Sequence, residues 1–177
     1  MKINKTKSLV KLVLLGALTL ISSCKKEMSD NNILLQEWQG PYGGVPAFDK
    51  MDIKDIQAAV EKGMELNLAE IEAIANSTKE ATFENTIEAM ERSGTELDRV
   101  FSYYGIMSSN VSSPEFREIQ SNLAPKLSVF SSNISQNKAL FNRIKTVYEA
   151  SLINPLDSDK QRVLALTYNG FAMRGAE

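Results

Sequence analysis

The stretch from Thr82 to Gly94, TFENTIEAMERSG, places the tightest constraint on the fold. Thr82 is a candidate N-cap, because its hydroxyl can accept a hydrogen bond from a backbone N–H one turn further along. Phe83, Ile87 and Met90 follow at helical spacing and form one apolar stripe. The stretch therefore predicts the start of an amphipathic helix that buries this stripe against other parts of the chain.

Further helices are predicted from capping residues and from the spacing of apolar residues. Their predicted limits are Asp52 to about Asn76 for the first, Thr82 to about Asn110 for the second, a start at Ser113-Pro114-Glu115 for the third, Ser135 to Asn154-Pro155 for the fourth, and a start at Asp157 or Ser158 for the fifth. Gly94 is expected inside the second helix, at a cost of about 1 kcal/mol. Pro125 is expected to kink or divide the third.

Nothing in the sequence alternates regularly enough to predict a strand. The predicted fold class is therefore all-α, with long antiparallel helices joined by short turns. The stretch Trp38–Phe48 is rich in Gly and Pro and is predicted to be a loop that lies against the helices. The apolar stripe of the last helix is predicted at Val163, Leu166 and Phe171. Phe171 and Met173, near the end of this helix, are expected to be the most exposed.

Several segments, in order along the chain, together resemble one protein family. They are Val45–Asp49 (VPAFD), Thr82–Thr86 (TFENT), Leu140–Lys145 (LFNRIK) and Thr167–Phe171 (TYNGF). They resemble the N-terminal helical region of zinc-dependent oligopeptidases of the thimet oligopeptidase and peptidyl-dipeptidase family, although Ala47 stands where that family often has a second Pro. The resemblance covers nearly everything after about the first forty residues.

The resemblance implies the N-terminal half of a neurolysin-like, two-lobed channel fold. It also implies hydrolysis of short peptides by zinc held in an H-E-x-x-H helix. The bacterial lipoprotein setting that the N-terminal residues predict favours release of C-terminal dipeptides over internal cleavage. This sequence contains no histidine. We therefore assign it no catalytic, cofactor-binding or metal-binding residue, and we expect zinc in full-length family members but not in this chain.

The sequence stops at Gly175-Ala176-Glu177, inside a stretch that is helical in the family. We interpret residues 38–177 as the N-terminal region of a longer peptidase, forming one wall of its channel and inactive alone. The alternative is a complete small helical lipoprotein that acts as a binding or scaffold module.

Residues 1–23 are predicted to be a lipoprotein signal peptide, and residues 24–37 a tether. Basic residues precede the apolar run Leu12–Ile21, which is short for a membrane span, and small residues then lead to Cys24. Cys24 is the predicted lipidation site; the alternative is an ordinary signal peptide with an incidental cysteine. The expected location is the bacterial cell envelope, on the periplasmic or the surface side of the outer membrane, with the lipid holding the chain to the membrane.

Charge argues against nucleic acid as a partner. Without the four lysines of the signal, 16 basic and 22 acidic residues remain, so the net charge is near −6. The acidic residues Glu84, Glu88 and Glu91 could act as acid–base groups, but a solvated helix face is favoured. The same holds for Glu61 and Glu65.

Four tyrosines could contact a peptide substrate, but aromatic residues on helical stripes are more often part of a core. They are Tyr103, Tyr104, Tyr148 and Tyr168.

Overall fold

The computed structural model describes residues 32–41 and 44–175. In these residues the regular structure is helical, apart from one isolated antiparallel bridge between Gln39 and Val45. The all-α prediction is therefore confirmed. The predicted signal peptide and Cys24 lie outside the described residues. Of the helices in the described part, none is both long and apolar enough to cross a bilayer.

The described helices follow one another with short connections. They are α1 (Ile53–Ala75), a π-helix (Phe83–Glu88), α2 (Ala89–Glu91), α3 (Thr95–Asn110), α4 (Pro114–Ser135), α5 (Lys138–Ile153) and α6 (Ser158–Ala172). Helix α1 packs against α3, α4 and α5, and α5 packs against α6. The longest helix thus lies between the two parts of the bundle.

Most predicted helix starts are confirmed by their caps. The side chains of Asp52, Thr82, Ser113 and Asp157 each accept a hydrogen bond from a backbone N–H two or three residues ahead. The predicted cap at Ser135 was wrong, because α4 continues through that residue and Asn137 caps α5 instead. Asn and Ser are both good caps, so the sequence could not distinguish them.

Gly94 breaks the second predicted helix instead of lying inside it. Its φ angle is +83°, in the left-handed region that glycine tolerates, and it precedes the first residue of α3. The backbone N–H of Gly94 donates to a carboxylate oxygen of Glu70 on α1 at 2.7 Å. A Cβ on Gly94 would meet the side-chain amide of Asn67 at 3.0 Å. The prediction of one helix from Thr82 to Asn110 was therefore wrong. Contacts from α1 stabilise the left-handed conformation of Gly94 that interrupts the helix.

Pro125 does not divide α4, which is continuous from Pro114 to Ser135. Pro125 has no backbone N–H, so the carbonyl of Ser121, four residues earlier, lacks its usual helical hydrogen bond. Both residues are exposed. A carbonyl that faces solvent can be hydrated, so the proline is tolerated there.

Two apolar cores lie along α1. The first core joins the N-terminal part of α1 to α3 and α4, and its fully buried residues include Ile56, Val60, Val100, Tyr103, Phe116 and Leu123. The second core joins the C-terminal part of α1 to the π-helix, α5 and α6, and it includes Ile71, Ile87, Leu140, Ile144, Leu164 and Phe171. A single helix that contributes to both cores holds the described bundle together.

The packed region begins earlier than the predicted boundary at residue 38. Leu34, within the predicted tether 24–37, is fully buried in the first core. The guanidinium of Arg99 on α3 donates to the Leu35 carbonyl oxygen at 2.9 Å. Residues 32–35 therefore belong to the bundle.

The last helix packs through a different face from the predicted one. Leu164 and Phe171 are buried, at 0% and 8% exposure, whereas Val163 and Leu166 are exposed, at 38% and 63%. The expectation that Val163 and Leu166 point inward, and that Phe171 is exposed, was wrong. Met173 is exposed as expected, at 87%.

Candidate functional site

The side chain of Arg143 on α5 is buried and donates hydrogen bonds to the segment that connects α1 to the π-helix. It is 8% exposed. Its Nη1 donates to the carbonyl oxygens of Ser77 and Lys79, both at 2.9 Å. Its Nη2 donates to Oδ1 of Asn85 at 2.8 Å and, at 3.4 Å, to the hydroxyl of Thr86. One guanidinium thus holds the connection against the bundle.

Asn85 is the second hub of this arrangement, which we call the Arg143 cluster (Ser77, Lys79, Thr82, Asn85, Thr86 and Arg143). Besides Arg143, its Oδ1 accepts from the Thr82 backbone N–H at 2.9 Å and from the Thr86 hydroxyl at 3.0 Å. Its Nδ2 donates to the Glu80 carbonyl at 2.8 Å. Thr82 Oγ1 accepts from the Asn85 N–H at 3.2 Å, which completes a reciprocal cap.

The Arg143 cluster is built for structure. None of the ion pairs formed by the described residues includes Arg143, and its buried Nε has no hydrogen-bond partner. The two Nη atoms donate to carbonyl, amide and hydroxyl oxygens and to no carboxylate, so no carboxylate–guanidinium pair suited to acid–base chemistry is formed here. The TFENT stretch helps to fix the backbone conformation of the connection between α1 and the π-helix.

Sequence reasoning missed the role of Arg143, although the segment Leu140–Lys145 was singled out. The signal is a cation on an apolar face: Leu140, Arg143, Ile144 and Val147 follow at helical spacing, and all four are buried. A charged residue at such a position is rarely fully buried without partners. The partners, however, are mainly backbone carbonyls, which no residue pattern reveals.

The carboxylates on the π-helix side form ion pairs at the surface. Glu84 pairs with Lys160 of α6 at 3.2 Å, and Glu88 pairs with Arg92 at 2.7 Å. A hydrogen bond from its own backbone N–H, with help from Lys160, lowers the pKa of Glu84 below its usual value. Glu84 and Glu91 are exposed, which fits the favoured solvated face.

Glu61 differs from the prediction of a merely solvated carboxylate. It joins two helices, because its carboxylate accepts from the Lys126 ammonium of α4 and from Gln57 of α1. Burial raises the pKa of Glu61, but these hydrogen bonds outweigh burial and leave the pKa below its usual value. Glu65 pairs with Lys62 at 3.0 Å and remains 70% exposed.

The Glu61–Lys126 pair lies at the edge of an apolar groove between α1 and α4. The groove has a volume of about 490 Å3, and its apolar lining consists of Met64, Leu68, Pro125, Val129 and Phe130. Val129 is 60% exposed. Apolar walls with a few polar groups at the rim are typical of surfaces that bind side chains of a ligand or partner.

The predicted core tyrosines are packed as expected. Tyr103 is fully buried in the first core, and its hydroxyl accepts from the Ala47 backbone N–H at 2.7 Å. Trp38 and Phe48 lie edge-on to the Tyr103 ring, with centroids 6.4 and 5.1 Å away. The segments flanking residues 42–43 therefore lie against the helices, as predicted for this loop.

The other three predicted tyrosines pack against aromatic rings of neighbouring helices. Tyr148 and Tyr168 are nearly parallel, with ring centroids 4.2 Å apart, and Tyr168 stacks on Phe141 at 5.6 Å. Tyr104 lies 5.4 Å from Phe116. These contacts join α5 to α6 and α3 to α4.

The described residues do not fit a zinc site. No group of three His, Cys, Asp or Glu side chains among them is placed to hold a metal ion, and the sequence supplies no imidazole ligand. Catalytic zinc requires three such protein ligands and one open position. No step of zinc chemistry is therefore assigned to these residues.

The helical bundle with its TFENT cap corresponds to a known class of domain. The sequence model of the neurolysin/thimet oligopeptidase N-terminal domain matches residues 56–176. The match includes the Arg143 cluster and most of both cores. The chain therefore belongs to the neurolysin/thimet oligopeptidase family.

Two bacterial relatives are each 30% identical to the chain. The dipeptidyl carboxypeptidase of Salmonella typhimurium aligns over 146 residues, which are 82% of this chain and 21% of that protein. The dipeptidyl carboxypeptidase of Escherichia coli aligns over 150 residues, which are 85% and 22%. The chain thus spans about a fifth of the length of the curated relatives that it matches.

Proposed function

We propose that residues 32–177 serve as the N-terminal helical region of a zinc-dependent peptidyl-dipeptidase, which releases C-terminal dipeptides from short peptides. The observation that carries this proposal is the match to the neurolysin/thimet oligopeptidase N-terminal domain over residues 56–176, together with the two dipeptidyl carboxypeptidases. In this role the chain supplies a wall of the peptide channel, and the groups that bind zinc and attack the peptide lie outside it.

The described geometry suits a wall. The Arg143 cluster fixes the connection between α1 and the π-helix, while Glu61 and Lys126 tie α1 to α4 at the edge of the apolar groove. Rigid walls limit which substrates reach a reactive centre and reduce the freedom that bound peptides retain. We further propose that Cys24 carries lipid and anchors the protein to the cell envelope, since a positive segment, an apolar run and small residues precede it.

A chimera tests this function. The matched fifth of the E. coli dipeptidyl carboxypeptidase is replaced with residues 32–177 of this chain, which keep Leu34 in the first core. We expect chelator-sensitive release of C-terminal dipeptides from a blocked short peptide, well above that of the same enzyme lacking the matched segment. The matched control carries Arg92→Met, which removes only an exposed ion pair and should leave the rate unchanged.

A second chimera carries Arg143→Met. It tests whether activity depends on the folded structure of the inserted residues or only on their presence. Loss of the buried guanidinium should lower both the melting temperature and the activity. A chimera that shows a cooperative helical melt but releases no dipeptide would contradict the proposed function.

A further inference from the structure

We draw no further inference here: the strongest candidate, the apolar groove between α1 and α4 that is lined by Met64, Leu68, Pro125, Val129 and Phe130, is an unpartnered surface of the described bundle, and nothing in the described residues shows what covers it.

Discussion

The Arg143 guanidinium lies 2.8 Å from Oδ1 of Asn85, and this contact joins two segments 58 residues apart in the sequence. Asn85 is the N of the TFENT stretch, and its side chain also caps the π-helix. The contact therefore links the local start of a helix to the tertiary packing of α5. It explains why this short polar stretch is tied to the whole helical domain.

Arg143→Met should destabilise the domain by about 2–3 kcal/mol, because it removes the charged donor that holds the carbonyl oxygens of Ser77 and Lys79 and the side chain of Asn85. Urea unfolding, followed by circular dichroism, measures the change. Arg92→Met, which breaks only an exposed pair, should cost less than about 0.5 kcal/mol. A cycle with Asn85→Ala should give a coupling energy of about 1 kcal/mol or more. Additive effects would show that the contact carries no energy.

Gly94→Ala should lower stability by about 1–2 kcal/mol, because the residue has a φ of +83° and its Cβ would press on Asn67. Gly105→Ala is the matched control. Gly105 lies inside α3, and a Cβ there meets no atom within 4 Å, so this change should stabilise the domain by about 0.5–1 kcal/mol. Melting temperatures that shift in the same direction for both variants would contradict the assigned role of the Gly94 conformation.

Acid should weaken the tie between α1 and α4. The folded pKa of Glu61 is lowered, so its contribution to stability is complete above its unfolded pKa of about 4.3 and is lost as the pH falls through the folded pKa. Glu61→Gln should therefore reduce stability near neutral pH and remove part of the loss below about pH 4. Unfolding free energies measured from pH 7 to pH 3 test this. Parallel curves for the native chain and Glu61→Gln would rule out the assigned role.

Sequence patterns predicted most of the helices, since caps and apolar spacing are local. Local patterns did not predict structure that depends on side chains distant in the sequence. Gly94 breaks a helix because Glu70 and Asn67 of α1 hold it there, and Arg143 is buried because backbone carbonyls surround it. The buried face of α6 was predicted wrongly for another reason. This helix has apolar residues on two faces, so the spacing could not show that Leu164, rather than Val163, is buried.

Cys24→Ala should abolish lipid attachment and block maturation through the lipoprotein pathway. The expected readouts are loss of the diacylglyceryl mass and release of the protein from the membrane fraction. A single acyl chain gives only marginal binding, so stable anchoring needs the several chains of a mature lipoprotein. Lys25→Ala, next to the predicted site, serves as a control that keeps the cysteine. Unchanged mass and unchanged fractionation of Cys24→Ala would favour an ordinary signal peptide.

We propose that this chain contributes a wall, and that the catalytic groups of the peptidyl-dipeptidase lie outside it. The rate of C-terminal dipeptide release from a quenched peptide, measured with zinc present, tests this proposal. The measurement compares the purified chain, the unmatched part of the E. coli dipeptidyl carboxypeptidase, and the two mixed. We predict no release by the chain alone and a saturable rise in release when it is added to the unmatched part. Chelator-sensitive release by the chain alone would contradict the claim.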